Sequence, residues 1–252
     1  MYLAYRERNE NETMKMKALT NIGMHRKNNE DSFCVGENKC GIFAVVADGM
    51  GGHLAGEVAS AMAVEVLNER FESLDFKSED ELYDEIRKAY DDANRKIYEY
   101  AEANSKVLGM GTTAVCAFIC KDKLFVANVG DSRAYIIDKD SIRQLSKDHS
   151  YVQQLVDSGV ITPEEAKTHP KRNYITRAIG TEEEIEVDIF KTDYKDETVL
   201  LCSDGLCGLV SDDTILKIVN KEDDLEEIVN KLVEAANEEG GTDNITVALL
   251  KN

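Results

Sequence analysis

Apolar residues along this chain gather in short continuous runs and in helical stripes, and the two kinds of pattern come in blocks. Gly41 to Ala47 (Gly-Ile-Phe-Ala-Val-Val-Ala) is an unbroken apolar run of strand length, which predicts a strand buried on both faces. After a glycine-rich turn, Ala55, Val58, Ala59, Met62, Val66 and Leu67 recur at helical spacing. Leu82, Ile86, Ala89, Tyr90, Ala93, Ile97 and Tyr100 form a second stripe and predict one face of an amphipathic helix. Thr112 to Cys120, Leu124 to Val129 and Ala134 to Ile137 read as three strands joined by short turns, an antiparallel meander. Thr198 to Cys202 predicts another strand. Leu225, Ile228, Val229, Leu232, Val233 and Ala236 mark a late helix, and Ile245 to Leu250 a closing strand. Paired helices and grouped strands predict an α+β protein with antiparallel sheets, rather than the strict alternation of a doubly wound fold.

One segment breaks the pattern. Residues 146–181 contain both prolines of the chain, Pro163 and Pro170, together with His149, His169, Lys171, Arg172 and Arg177. Thr162-Pro163-Glu164-Glu165 is a helix start: a threonine cap, proline in the first turn, and glutamate three residues after the cap. The segment reads as a polar, irregular flap beside the core, or as a surface loop with one short helix.

Composition narrows the class. The net charge of -19, from 49 acidic and 30 basic residues, argues against nucleic acid as a partner, because binding it depends on neutralising phosphates with Lys and Arg. The acidity serves solubility, cation binding, or both. Six cysteines occur without any C-x-x-C pair, mostly within apolar runs, as expected of a reduced, cytoplasmic protein. The longest apolar stretches have strand length, so no membrane segment is expected. Residues 1–16 are polar and read as an extension outside the fold, with Met14 or Met16 a candidate natural start; residues 17–252 read as a single domain.

Candidate chemistry lies in carboxylates at strand ends. Asp48 stands in Val46-Ala47-Asp48-Gly49-Met50-Gly51-Gly52-His53, Asp131 in Gly130-Asp131-Ser132-Arg133, Asp204 in Cys202-Ser203-Asp204-Gly205, and Asp243 in Gly241-Thr242-Asp243-Asn244. Glu30 and Asp31 lie upstream, in Asn28-Asn29-Glu30-Asp31. Read singly, each Asp-Gly pair is a common turn, and Gly130-Asp131-Ser132 is a serviceable hairpin turn. Read together, they form an oxygen-only set that selects hard cations such as Mg²⁺ or Mn²⁺, and a multi-metal centre of that kind suits phosphoryl chemistry. The glycines after Asp48 and Asp204 let backbone approach a ligand, and a carbonyl there can itself bind metal. The Asp48–Gly56 block lacks the Gly-Lys-Ser/Thr ending of a P-loop and does not fit G-x-G-x-x-G.

Taken in order, Ala47 to His53, Gly109-Met110-Gly111-Thr112-Thr113, Gly130 to Tyr135, Asp148-His149-Ser150, His169-Pro170 to Gly180, Leu200 to Leu206 and Gly241 to Thr246 resemble the metal-dependent serine/threonine protein phosphatases of the PPM or type 2C family, bacterial branch. The resemblance spans about residues 17–252. It implies a four-layer α/β/β/α sandwich, two central antiparallel sheets flanked by helix pairs, with metals at one end and a flap insertion. It implies that Asp48 bridges two Mn²⁺ or Mg²⁺ ions, that the Gly49 carbonyl binds one of them, and that Asp204 and Asp243 complete the first. Asp131, with Asp204, is expected to hold a third, weaker ion. Glu30 and Asp31 are expected to hold metal-associated water. Arg26 is expected to grip the substrate phosphate, a task suited to its planar fork. The implied reaction is direct attack by activated water, with Arg26 and the metals offsetting phosphoryl charge. Met50 stands where animal members carry a histidine proposed as general acid, as is common in the bacterial branch. That leaves the leaving-group proton to metal-bound water or to His53.

The reading is therefore a phosphoprotein phosphatase acting on phosphoserine and phosphothreonine, opposing a cognate serine/threonine kinase and working as a monomer. A small-molecule phosphohydrolase and a non-catalytic phosphoprotein-binding regulator are the alternatives. Retention of Asp48, Asp204 and Asp243 weighs against the regulator.

Overall fold

The computed structural model describes residues 15–51 and 55–251. Eleven strands build two antiparallel sheets. The first contains β1 (Lys15–Asn21), β7 (Arg133–Ile137), β8 (Ile142–Gln144), β10 (Thr198–Cys202) and β11 (Ile245–Lys251), in the order β1-β11-β10-β7-β8. The second contains β2 (Asp31–Asn38), β3 (Gly41–Met50), β5 (Ala114–Cys120), β6 (Lys123–Val129) and β9 (Asp188–Asp193), in the order β2-β3-β5-β6-β9, with the short β4 (Gly111–Thr112) paired to the end of β3.

Strand periodicity explains the layers. Along β3, Ile42, Ala44 and Val46 face the other sheet, while Phe43, Val45 and Ala47 face helices. Both sets are fully buried, which is why the run reads as continuously apolar. On β11, Ala248 and Leu250 meet the opposing sheet, and Ile245, Val247 and Leu249 meet helices on the outer side. Helices α1 (Ala55–Glu72) and α2 (Glu79–Ala103) cover the second sheet; α5 (Asp204–Cys207), α6 (Asp212–Lys221) and α7 (Leu225–Glu238) cover the first. The result is the expected α+β sandwich of two antiparallel sheets between helical layers.

Three expectations change. The meander ends after two strands: β5 pairs β6, but β6 pairs β9 next, and β7 joins the other sheet beside β10. At Gly130 the backbone takes a positive φ of 106°, and the chain crosses between the sheets there instead of turning back in a hairpin. Asp131 therefore sits at an inter-sheet corner. Tyr100 leaves the buried face of α2 and is 44% exposed, whereas Ala101 beside it is buried. Finally, β1 begins at Lys15, and Lys15 and Met16 pair with Lys251 and Leu250, so the ordered sheet starts inside the stretch taken as an extension.

The region 146–181 holds α3 (Tyr151–Asp157) and α4 (Pro163–Lys167) with irregular connections. At α4 the capping box is complete: the Thr162 hydroxyl accepts from the Glu165 amide, and the Glu165 carboxylate accepts from the Thr162 amide at 2.7 Å. No helix among the described residues is long and apolar enough to cross a membrane.

Candidate metal centre

The acidic residues collect at one end of the sandwich, where strands from both sheets run out. Asp31 and Asp48 are direct cross-strand partners at the end of the β2–β3 ladder. Their positions share the alternation of Phe33 and Val35 on β2 and of Ala44 and Val46 on β3, the face turned to the opposing sheet. Like charges placed opposite each other oppose folding. That face is apolar through the middle of the ladder, with the two paired carboxylates at its end.

The Asp-Gly glycines bring neighbouring segments into contact with this end. A Cβ on Gly49 would stand 2.0 Å from the Gly56 carbonyl oxygen and 2.7 Å from that of Glu30. A Cβ on Gly205 would stand 2.0 Å from the Asn244 carbonyl oxygen. One glycine thus lets the Glu30 segment and the start of α1 close on Asp48. The other lets the Asp243–Asn244 turn close on Asp204. Gly56 serves the same packing, since a Cβ there would meet Glu30 Oε2 at 2.3 Å.

Neighbouring polar residues hold the acidic ones by their backbones. Thr113 Oγ1 accepts from the Asp48 amide at 2.9 Å, and the Thr113 amide and the Thr112 hydroxyl both donate to the Asp48 carbonyl. The Ser203 hydroxyl donates to Asp31 Oδ2 at 2.8 Å and accepts from the Thr246 amide at 3.0 Å. Asn244 Oδ1 accepts from the Glu30 amide, while its Nδ2 donates to the carbonyls of Ile22 and Asn28. Thr112, Thr113, Ser203 and Asn244 were not singled out from the sequence. Their signal was position, since each lies inside a motif and Ser203 and Asn244 directly adjoin a candidate aspartate.

Electrostatics set these carboxyls apart from ordinary surface acids. Burial first, and then Asp31, Asp204, Asp131 and Asp243, push Asp48 far above the usual aspartate range. Burial and then Asp204 push Asp131 up to about 8. Burial and then Asp243 push Asp204 up to about 6, against an opposing hydrogen bond with Asp48. Burial raises Asp31 to about 7, with Asp204 and Asp243 adding to it and hydrogen bonds from Thr246 and Ser203 opposing it. Glu30 is raised by burial, which outweighs the pull of Arg26.

Buried Oδ1 atoms of Asp31, Asp131 and Asp204 have no hydrogen-bond partner. Unpartnered buried acceptors are costly, and mutual repulsion adds to the cost. A divalent cation relieves both, so the donor set fits hard-metal binding. Among the described residues, no three His, Cys, Asp or Glu side chains already enclose a cation position. The chain therefore offers separate oxygens rather than a closed cage, an arrangement compatible with Mg²⁺, which keeps several waters.

Arg26 is where the sequence reading changes in detail. Its Nη2 donates to Asp243 Oδ2 at 2.7 Å, from a half-exposed side chain. The guanidinium thus reaches the acidic end, but it lies on a candidate metal ligand. Met50 ends β3, paired with Gly111, and offers no proton. His53 lies outside the described residues.

A two-sheet sandwich with this acidic end defines a class: the family model of protein phosphatase 2C matches residues 7–154 and 173–245, and the chain belongs to that family. It is a serine/threonine phosphatase. Among curated relatives, the serine/threonine phosphatase stp of Listeria welshimeri is 41% identical over 241 residues, covering 94% of this chain and 96% of that one. Among solved structures, Stp1 from Staphylococcus aureus superposes with a TM-score of 0.90 at 39% identity, covering 96% of each chain. The catalytic domain of the phosphatase PstP, solved in complex with two manganese ions, superposes with a TM-score of 0.84 at 34% identity, covering 94% of this chain and 97% of that one.

Proposed function

We propose that this phosphatase hydrolyses phosphoserine and phosphothreonine with water activated in a Mn²⁺ or Mg²⁺ centre at the acidic end of the sandwich. Asp48, Asp204, Asp243 and the Gly49 carbonyl hold two cations, and Asp131, with Asp204, holds a third, weaker one. Bound there, the cations supply a water of lowered pKa and positive charge against the phosphoryl oxygens. Glu30 and Asp31 orient the surrounding waters. Arg26 exchanges the Asp243 carboxylate for the substrate phosphate, two anions that its planar fork binds alike. No side chain becomes phosphorylated.

The observation that carries this reading is the set of partnerless buried oxygens on Asp31, Asp131 and Asp204, gathered with the raised carboxyl of Asp48. The two manganese ions of the PstP complex, in a chain 34% identical, support the same metal. We further propose that the chain from β1 onward acts as one domain and as a monomer, in the cytoplasm, opposing a serine/threonine kinase. The flap at 146–181 contributes to the choice of substrate.

The test is phosphate release from a phosphothreonine peptide, with and without Mn²⁺, for the wild type and Asp204→Asn. Release that requires metal and vanishes in the variant is expected. Metal-independent release, or full activity in Asp204→Asn, would refute the centre. Release from a small phosphoester but from no phosphopeptide would redirect the substrate assignment.

A further inference from the structure

Among the flap residues near the Asp131 corner, His149 bonds its backbone directly, while Asp148 beside it pairs with Arg133 at 2.7 Å. His149 is 8% exposed and stands one residue before Ser150, which bridges to Ile175. Its backbone amide donates to the Gly130 carbonyl at 2.9 Å, and its ring Nδ1 accepts from the Gly130 amide at 3.1 Å. Both backbone groups of the residue before Asp131 are thus bonded to one histidine. The Gly130 carbonyl also accepts from Asn128 Nδ2, which donates to the Lys147 carbonyl as well, at 3.1 and 2.9 Å. Gly130 needs to be glycine here: its φ is positive, and a Cβ would strike Thr113 at 2.5 Å.

The bond from Gly130 fixes the tautomer. An amide only donates, so Nδ1 is unprotonated and the ring proton sits on Nε2. Nε2 lies 3.3 Å from Asp188 Oδ2, at the start of β9, and donates there. Arg177 Nη1 lies 3.1 Å from Nε2 and 2.8 Å from Asp188 Oδ1, so the two donors share one carboxylate. Arg177 also bonds the Glu186 carbonyl and its carboxylate. The returning end of the flap is joined to the same residue, since the Thr176 amide donates to the His149 carbonyl at 2.8 Å. Both ends of the flap therefore meet at His149, and His149 meets the Asp131 corner.

We propose that His149 is a positioning residue for Asp131: it clamps Gly130 and tethers that corner to the flap base through Asp188 and Arg177, so that the flap base sets how firmly Asp131 holds metal. The proposal rests on the assignment of Asp131 to a third, weaker metal. His149 itself touches neither metal nor substrate. Hydrogen bonds made directly to a metal ligand typically change affinity by about 10- to 100-fold when removed; His149 acts one residue further out, so the lower end applies.

Two substitutions separate the two ends of the ring. In His149→Asn the amide oxygen takes the place of Nδ1 and keeps the Gly130 bond while losing the link to Asp188. In His149→Gln the amide reaches the Nε2 position and the Gly130 bond is lost. The readouts are Mn²⁺ titration by electron paramagnetic resonance, which counts bound ions without turnover, and hydrogen exchange of the Gly130–Ser132 amides in the metal-free protein. Asp131→Asn serves as the reference. We expect His149→Gln to weaken the weakest class of Mn²⁺ by about tenfold, leave the tighter classes in place, and speed exchange at the corner. His149→Asn should restore most of both. Should His149→Gln melt too low to assay, Asp188→Ala tests the tether, with the same class of Mn²⁺ weakened by a smaller factor.

Wild-type metal binding in His149→Gln, or equal loss in His149→Asn with wild-type binding in Asp188→Ala, overturns the positioning role while leaving Asp131 as assigned. Retention of the weak class in Asp131→Asn overturns the metal assignment itself, and with it the proposal.

Discussion

Asparagine in place of Asp31 should stabilise the metal-free protein at alkaline pH, and progressively less as the pH falls toward about 4. Asp31 faces Asp48 directly across β2–β3 and is 8% exposed. Side chains so paired hold their Cβ atoms about 5 Å apart. Two charges at that distance repel by about 3 kcal/mol at an effective dielectric constant near 20. The whole cost of ionising Asp31 in the fold has further sources, burial first and then Asp204 and Asp243. The rise of the Asp31 carboxyl from the ordinary 3.8 to about 7, caused first by burial, corresponds to about 4 kcal/mol. The sign follows from proton linkage. A carboxyl whose folded pKa is raised favours the fold fully below about 4, and that contribution is lost as the pH rises through about 7. At pH 8 the cost is fully expressed; at pH 5.5, midway between the unfolded and folded values, about half of it already is, because the unfolded chain has given up its proton there. Asparagine mimics the protonated form: its oxygen still accepts from Ser203, and its amide donates into the cluster. In a domain of this size the gain amounts to about 10 °C in melting temperature at pH 8. Thermal melts in EDTA at pH 5.5 and pH 8 measure it. An equal gain at both pH values, or a lower melting temperature at pH 8, would refute the reasoning that repulsion strains this end of the sandwich.

Other consequences are more local. Arg26→Ala should cut kcat/KM for a phosphopeptide by about 10- to 100-fold, the worth of a charge-assisted hydrogen bond, while calorimetry finds Mn²⁺ still bound; parallel loss of both would count against phosphate gripping. Ser203→Ala removes the donor to Asp31 and the acceptor for the Thr246 amide, and should cost about 2 kcal/mol in urea unfolding; a loss near zero would mean that water replaces the hydroxyl. Gly205→Ala drives a methyl to within 2.0 Å of the Asn244 carbonyl oxygen and should lower the melting temperature by several degrees, as overpacking of about 1–3 kcal/mol does; unchanged melting would show that the Asp243–Asn244 turn yields freely.

The core elements were legible because their signal is local. Strands β3, β5, β6, β10 and β11 are apolar on both faces, and α2 and α7 carry stripes of helical period, so burial shows directly in composition. Strands β2 and β9 are mostly half-buried, with polar residues among their apolar ones, and were missed. β1 was missed as well, its first residues falling in a stretch set aside for its polarity. The aspartates were legible as motifs, since Asp-Gly at a strand end is a local pattern. Their partners Thr113, Ser203 and Asn244 were not, because a hydroxyl or amide beside an aspartate looks like any turn residue until the segment it bonds is known.

What the sequence determined by itself was the alternation of faces, the helical stripes, the acidic set and, through ordered motifs, the family. What only the tertiary structure decided was adjacency. The sequence spacing of β5, β6 and β7 suits a meander, yet β7 completes the other sheet, because its Tyr135 and Ile137 bury against the α5–α7 layer while Ala134 and Ile136 face the sheet interface. The same nonlocal choice puts Asp31 opposite Asp48, lays Arg26 on Asp243, and joins His149 to Gly130. Burial of apolar area depends on which residues are paired in space. The repulsion among carboxylates that come to share one end therefore arises only once the two sheets have closed on each other.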